Sequence, residues 1–135
     1  MVPELIVSDF KKSLKFYRHT LGFQENYSRS DPDFTYLKLG HIQLMLEAYD
    51  PETWLTVPLE YPFGRGINFQ MEVADVHAIL ERLSAIAYPL FRPLKENWYA
   101  TSHTPQEGQL EFLIQDPDGY LLRFIQPLGS RATQT

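Results

Sequence analysis

The 135-residue sequence contains no cysteine. Disulfides, thiolate nucleophiles and cysteine-based zinc sites are therefore excluded, and any bound metal would need His, Asp or Glu ligands. Long apolar runs are missing as well, and residues 1–5 lack the basic segment and apolar stretch of a signal peptide. We therefore expect a cytoplasmic protein without a membrane span.

Basic residues are too few for a nucleic-acid surface. The chain has 12 Lys and Arg residues against 17 Asp and Glu residues, which gives a formal net charge of -5. This balance argues against phosphate-backbone binding and mildly favours a cationic ligand, although solubility alone would also account for it. The contents of 44% hydrophobic and 21% charged residues are typical of one globular domain.

The first half of the chain has the pattern strand, helix, strand, strand, strand. Residues 3–7 form a short apolar run, and Asp9 is placed to cap an amphipathic helix that Gly22 would end. Three further strands are predicted at 23–29, 34–39 and 42–48. The irregular passage that follows, at 51–65, is either a linker or a functional loop.

The second half repeats this order. Residues 67–73 are typical of a strand, and Asp75, which follows Asp9 by 66 positions, precedes a second helical pattern. The half ends in a hairpin, in which Asp116-Pro117-Asp118-Gly119 turns the chain between two apolar strands. We predict one domain made of repeat one at 1–50, repeat two at 66–128 and a flexible tail at 129–135.

Three segments resemble the vicinal-oxygen-chelate superfamily, which includes glyoxalase I, bleomycin-resistance proteins and extradiol dioxygenases. They are VSDFKKSLKFYRHTLGF, LGHIQLMLEAYD and QDPDGYLLRFIQP. The resemblance covers most of the chain. It implies an α+β fold in which tandem β-α-β-β-β repeats form curved mixed sheets around a groove.

The metal-ligand positions of that superfamily are not kept here. The resemblance places them at Val2, Asn68, Arg123 and a fourth position near Leu44. Valine has no donor atom, and arginine has no lone pair for a cation. The four histidines lack the spacing of metal ligands and are expected at the surface. For His103, in a loop, lining the groove is the alternative. We expect neither a metal nor another cofactor.

The bleomycin-resistance branch is the most similar part of the superfamily. This likeness implies metal-independent sequestration of bleomycin-like or other planar cationic molecules in a cleft between the subunits of a homodimer. The N-terminal strand would be exchanged between subunits, with Pro3 either stiffening that arm or starting an ordinary edge strand. The alternatives are a metal-dependent glyoxalase or dioxygenase-type enzyme and an unrelated binding role on the same fold.

Aromatic side chains suit a flat cationic ligand. The aromatic candidates are Phe34, Tyr36, Tyr49, Trp54, Phe63, Trp98 and Tyr99. For Phe34 and Tyr36, core packing is an equal alternative. Trp54 is expected in the irregular middle passage, and Trp98 and Tyr99 are expected in a loop at 90–108. For all three, a dimer interface is the rival explanation.

Two charged residues complete the predicted ligand site. Glu47 would contact the cation, because apolar residues occupy the opposite face of its strand. Arg123 would either bind a ligand carboxylate or pair with Glu47. A purely structural salt bridge between Glu47 and Arg123 is the alternative to a binding role for both.

Overall fold

The structure, a computed structural model of the chain, describes residues 1–100 and 105–132. Its internal contacts divide the chain into two compact units. Unit 1 is Met1–Ile67 with Asp116–Tyr120, and unit 2 consists of the described residues of Asn68–Gln115 and Leu121–Thr135. Among the described residues, no helix combines the length and apolar character needed to cross a bilayer.

Unit 1 contains a four-stranded mixed sheet. Its strands are β1 (Glu4–Val7), β2 (Gln24–Arg29), β3 (Phe34–Leu39) and β4 (Ile42–Ala48), in the order β1-β4-β3-β2. β1 runs parallel to β4, and the other neighbours are antiparallel. Leu44 and Leu46 of β4 are 1% and 0% exposed, so one face of the sheet is the core face. The predicted strands at 34–39 and 42–48 are confirmed.

The helical segment of unit 1 is in two parts. α1 (Phe10–Lys15) begins at Asp9, whose carboxylate accepts the backbone N–H of Lys12 at 3.1 Å. A π-helical turn, Phe16–Thr20, follows directly. The predicted cap is confirmed, but the predicted single α-helix is wrong. The wider turn lets the consecutive residues Phe16 and Tyr17 both enter the core, at 6% and 0% exposure.

Unit 2 repeats the topology of unit 1. Its elements are β5 (Asn68–Glu72), α2 (Val76–Ala85), β6 (Arg92–Ala100), β7 (Gln106–Gln115) and β8 (Leu121–Arg131). The strand order is β5-β8-β7-β6, with β5 parallel to β8. Asp75 caps α2 by accepting the backbone N–H of His77 at 2.9 Å, as predicted. The stacked rings of Phe112 and Phe124, 5.3 Å apart, lie in its core. The predicted α+β fold of tandem β-α-β-β-β repeats is confirmed.

Two predicted boundaries are wrong in unit 2. β6 lies within the stretch 90–108, which the sequence suggested was a loop, and it pairs with β7 from Arg92 to Ala100. β8 continues to Arg131, three residues into the predicted tail, where Arg131 pairs with Gln106. Both strand segments are largely exposed, so they lack the apolar alternation that marks a half-buried strand. His103 lies outside the described residues.

The predicted hairpin turn joins β7 to β8 and packs within unit 1. Asp116 closes the turn, since its carbonyl accepts the N–H of Gly119 and its N–H donates to Tyr120, both at 2.9 Å. Gly119 has a φ of 95°, a conformation that glycine adopts without steric cost. The Ser8 hydroxyl donates to Asp118, and the Tyr120 hydroxyl donates to the carbonyl of Ile6 at 2.9 Å.

Candidate functional site

A cavity of about 530 Å³ opens on unit 1, and we name it the acidic cleft. It lies on the sheet face opposite the leucine core and is closed at one side by the middle loop, residues 49–66. The lining residues are Glu4, Ile6, Arg29, Pro32, Glu47, Asp50, Glu52, Thr53 and Trp54. Its volume is within the range of small-molecule sites.

Strand register brings two carboxylates together in this cleft. Glu4 pairs with Met45 and Ile6 pairs with Glu47 in the parallel β1–β4 ladder. Because side chains alternate along a strand, Glu4 and Glu47 share one face. Glu4 was missed from the sequence, although its alternation with the apolar Leu5 was a usable signal. Glu47 lies where the sequence predicted, on the face opposite Leu44 and Leu46.

The cleft is electrostatically negative. The pKa of Glu4 is raised, first by burial and then by a hydrogen bond with Glu47 and repulsion from it, while Arg29 acts in the opposite direction. Asp50 and Glu52 add two further carboxyl groups, so the lining carries four acidic side chains and one guanidinium. This arrangement favours a cationic ligand over an anionic one.

Trp54 supplies a flat aromatic surface at the cleft. Its side chain is 95% exposed. A tight turn holds the preceding residues, because Thr53 donates its N–H to the Asp50 carbonyl and accepts the Asp50 N–H, both at 2.9 Å. An indole held in water beside four carboxyl groups is available for stacking and for cation–π contact.

Phe34 and Tyr36 of β3 do not line the acidic cleft. Phe34 is 2% exposed and lies beneath the guanidinium of Arg29, which is 4.2 Å from the ring centroid. The Tyr36 ring stacks on Tyr27 at 5.3 Å, and its hydroxyl donates to Gln43. Phe34 therefore fits the core-packing alternative, whereas Tyr36 packs against a ring that is 49% exposed and is only half-buried itself.

Tyr49 and Phe63 line a different cavity of unit 1, also of about 530 Å³. The middle loop forms most of its wall, including Leu55, Val57 and Leu59. Tyr49 is 57% exposed, whereas the Phe63 ring packs edge-on against Tyr120 at 5.8 Å. The middle loop is therefore part of unit 1, where it lines cavities.

Trp98 and Tyr99 lie on β6 and point to opposite faces of the sheet, because consecutive residues of a strand alternate. The expectation of a loop pair is therefore wrong. Trp98 lies against Gly108, donates to Glu96 at 3.1 Å and has the Arg131 guanidinium 4.0 Å from a ring centroid. Tyr99 faces a cavity of about 730 Å³ within unit 2.

Arg123 is held by Glu111 of β7. Its Nε and Nη2 atoms donate to Oε2 of Glu111 at 3.0 and 2.7 Å. The predicted pairing with Glu47 is replaced by this contact within unit 2. The hairpin register explains it, since Arg123 lies opposite Leu113 and Glu111 is the diagonal neighbour on the same face.

Strand register bears on the metal-ligand positions that the superfamily resemblance implies. Glu4 pairs with Met45 and the equivalent residue Gln70 pairs with Arg123, so the residue equivalent to Arg123 is Met45, next to Leu44. The four positions thus hold Val2, Met45, Asn68 and Arg123, a set that does not fit a divalent cation. In residues 1–100 and 105–132 there is no group of three or more His, Cys, Asp or Glu side chains that could hold a metal.

The family model described as Glyoxalase/Bleomycin resistance protein/Dioxygenase superfamily matches residues 2–124. The chain belongs to this superfamily.

Relatives within and around the superfamily extend over nearly the whole chain. A bleomycin resistance protein of Geobacillus stearothermophilus is 24% identical over 96% of this chain and 97% of its own length. A superfamily member from Vibrio splendidus 12B01 is 34% identical, with 93% of this chain and 95% of that chain covered and a TM-score of 0.45. TioX from Micromonospora sp. ML1 has a TM-score of 0.73 at 20% identity, with 95% and 98% covered. The likeness to TioX is one of fold.

Proposed function

We propose that this protein binds and sequesters a planar cationic small molecule, such as a bleomycin-like compound, without a metal. The observation that carries the proposal is the exposed indole of Trp54 beside the carboxyl groups of Glu4 and Glu47. A flat cationic ring would stack on the indole while its positive groups approach the carboxylates. A cation–π contact contributes roughly 0.5–2 kcal/mol, and charge-assisted hydrogen bonds add to it.

The relatives support this function over others. The curated proteins that match almost the full chain are named bleomycin resistance proteins. Bleomycin is a large cation with flat heteroaromatic rings, which is the ligand chemistry that the acidic cleft suits. Sequestration needs only tight binding, because a protein in excess of its ligand lowers the free concentration by mass action.

A homodimer with its clefts between subunits is part of the proposal. The middle loop exposes Trp54, Val57 and Tyr61 at 95%, 69% and 62%. An exposed apolar group of this kind typically marks an interaction surface, and a second copy would cover part of it. Within the chain, β1 pairs with its own β4, and exchange of this strand in the dimer stays a prediction.

Calorimetric titration of the EDTA-treated protein with metal-free bleomycin tests the proposal. We expect micromolar or tighter binding, which Glu47→Gln and Trp54→Leu each weaken about tenfold. Glu81→Gln is the matched control, because it removes the same charge from an exposed position on α2. Binding that requires added zinc, iron or manganese would instead favour the enzyme alternative.

A further inference from the structure

Unit 2 has a cavity of its own, of about 730 Å³, and we name it the basic cavity. It lies over β6 and β7, on the face that Lys95, Asn97 and Tyr99 share with Glu111. Phe91 and Leu94 form an apolar part of its wall. The proposed cation site in unit 1 uses none of these residues.

The charge of this cavity is opposite to that of the acidic cleft. Arg92 and Lys95 line it, and Glu111 is its one acidic lining residue among the described part of the chain. Oε2 of Glu111 already accepts two bonds from Arg123 and a third, at 2.8 Å, from the Gln109 amide. The carboxylate is therefore neutralised by Arg123 and does not offset the two lining cations.

Lys95 is left with its positive charge uncompensated. It is in register with Glu111 across the β6–β7 ladder, yet the described residues give it no ion pair. An ammonium group at a cavity wall offers three donors to an anion. The neighbouring Asn97 adds an amide on the same face.

The rest of the cavity is suited to a flat ring. Phe91 and Tyr99 are 43% and 46% exposed, and Leu94 and Leu113 provide apolar surface between them. The Arg92 guanidinium lies 4.8 Å from the Phe91 ring centroid, so its positive charge is held at this wall. Aromatic surface next to unpaired cations recognises a ring that carries a negative group.

We propose that the basic cavity binds a small aromatic anion, a flat ring bearing a sulfonate or carboxylate. Lys95 contacts the anionic group, and Tyr99 provides the stacking surface. This site shares no lining residue with the acidic cleft of unit 1.

A pair of fluorescent compounds tests this site. 8-Anilinonaphthalene-1-sulfonate carries the sulfonate, whereas N-phenyl-1-naphthylamine has the same rings without a charge. We expect the wild-type protein to bind the sulfonate at least tenfold more tightly than the neutral amine, and 1-naphthoate to displace it. Lys95→Gln should weaken sulfonate binding about tenfold and leave the amine unchanged, and Tyr99→Leu should weaken both.

Lys11→Gln is the matched control, since it removes one lysine charge from an exposed position on α1. It should leave both affinities as in the wild type. Equal affinity of the wild-type protein for the two compounds, or sulfonate binding unaffected by Lys95→Gln, overturns the proposal. Circular dichroism melting of each variant separates loss of binding from loss of folding.

Discussion

The hydroxyl of Tyr17 donates a 2.8 Å hydrogen bond to the carboxylate of Asp116, which lies 99 positions later in the chain. The other oxygen of Asp116 accepts the backbone N–H groups of Asp118 and Tyr120, each at 2.9 Å. The turn between β7 and β8 is thereby joined to the helical segment within unit 1. Burial nevertheless raises the pKa of Asp116 to about 6, against the lowering effect of these hydrogen bonds.

The raised pKa of Asp116 predicts a specific pH dependence of stability. Its favourable contribution is complete below the unfolded value of 3.8 and is lost as the pH rises through about 6. The free energy of unfolding falls by about 3 kcal/mol over this pH range. Urea unfolding between pH 4 and 8 should show this slope in the wild type, and Asp116→Asn should remove it. An identical slope in the two proteins would contradict the assignment.

The Tyr17 hydroxyl should matter most when Asp116 is ionised. Tyr17→Phe should destabilise the fold by about 1.5–3 kcal/mol at pH 8, because it removes a hydrogen bond to a buried charge. Below pH 5 the loss should be smaller, since the carboxyl group is then protonated. Urea unfolding at the two pH values measures the difference. Tyr27→Phe, on a ring that is 49% exposed, is the control and should have little effect at either pH.

Alanine substitutions at two glycines with positive φ distinguish the cost of backbone strain from the cost of steric contact. A Cβ at Gly119 would lie 2.5 Å from Cβ and 2.7 Å from Cα of Pro62, whereas a Cβ at Gly66 would meet nothing within 4 Å. Gly66→Ala should therefore cost about 1 kcal/mol for its φ of 87° alone. Gly119→Ala should cost about 1–3 kcal/mol more. Equal unfolding free energies for the two variants would show that the turn does not pack against Pro62.

The Glu4–Glu47 pair predicts that cation affinity falls on acidification. Cation binding favours the ionised carboxyl groups, so a protonated Glu4 must lose its proton when the ligand binds. Because the pKa of Glu4 is raised, this loss should begin at a higher pH than for an ordinary glutamate. Titrations with metal-free bleomycin from pH 8 to pH 4.5 measure it. Glu4→Gln should bind more weakly at pH 8 and show a flatter pH profile, and an unchanged profile argues against Glu4 as a ligand contact.

Local signals in the sequence predicted most of the fold. The strands at 34–39 and 42–48 follow from alternation and a glycine turn, and the helix caps at Asp9 and Asp75 follow from residue type and repeat spacing. Of the predicted ligand contacts, Glu47 and Trp54 line the acidic cleft, and their role in binding a ligand stays a prediction.

Contacts that depend on strand register were harder to predict. Glu4 joins Glu47 only through the parallel pairing of β1 with β4, which no local pattern fixes. Trp98 and Tyr99 lie on an edge strand with little apolar alternation, so the sequence suggested a loop there. Arg123 pairs with Glu111, whereas counting pairs outward from the Asp116–Gly119 turn gives Leu113 as the residue opposite it, so only the diagonal neighbour explains the contact.

Tryptophan fluorescence tests whether Trp54 forms part of a metal-independent cation site. The EDTA-treated protein is titrated with metal-free bleomycin in the wild type, in Trp54→Phe and in Trp98→Phe. We expect saturable quenching at micromolar ligand that persists in Trp98→Phe and disappears in Trp54→Phe. Absence of quenching in the wild type, or quenching that survives in Trp54→Phe, would contradict it.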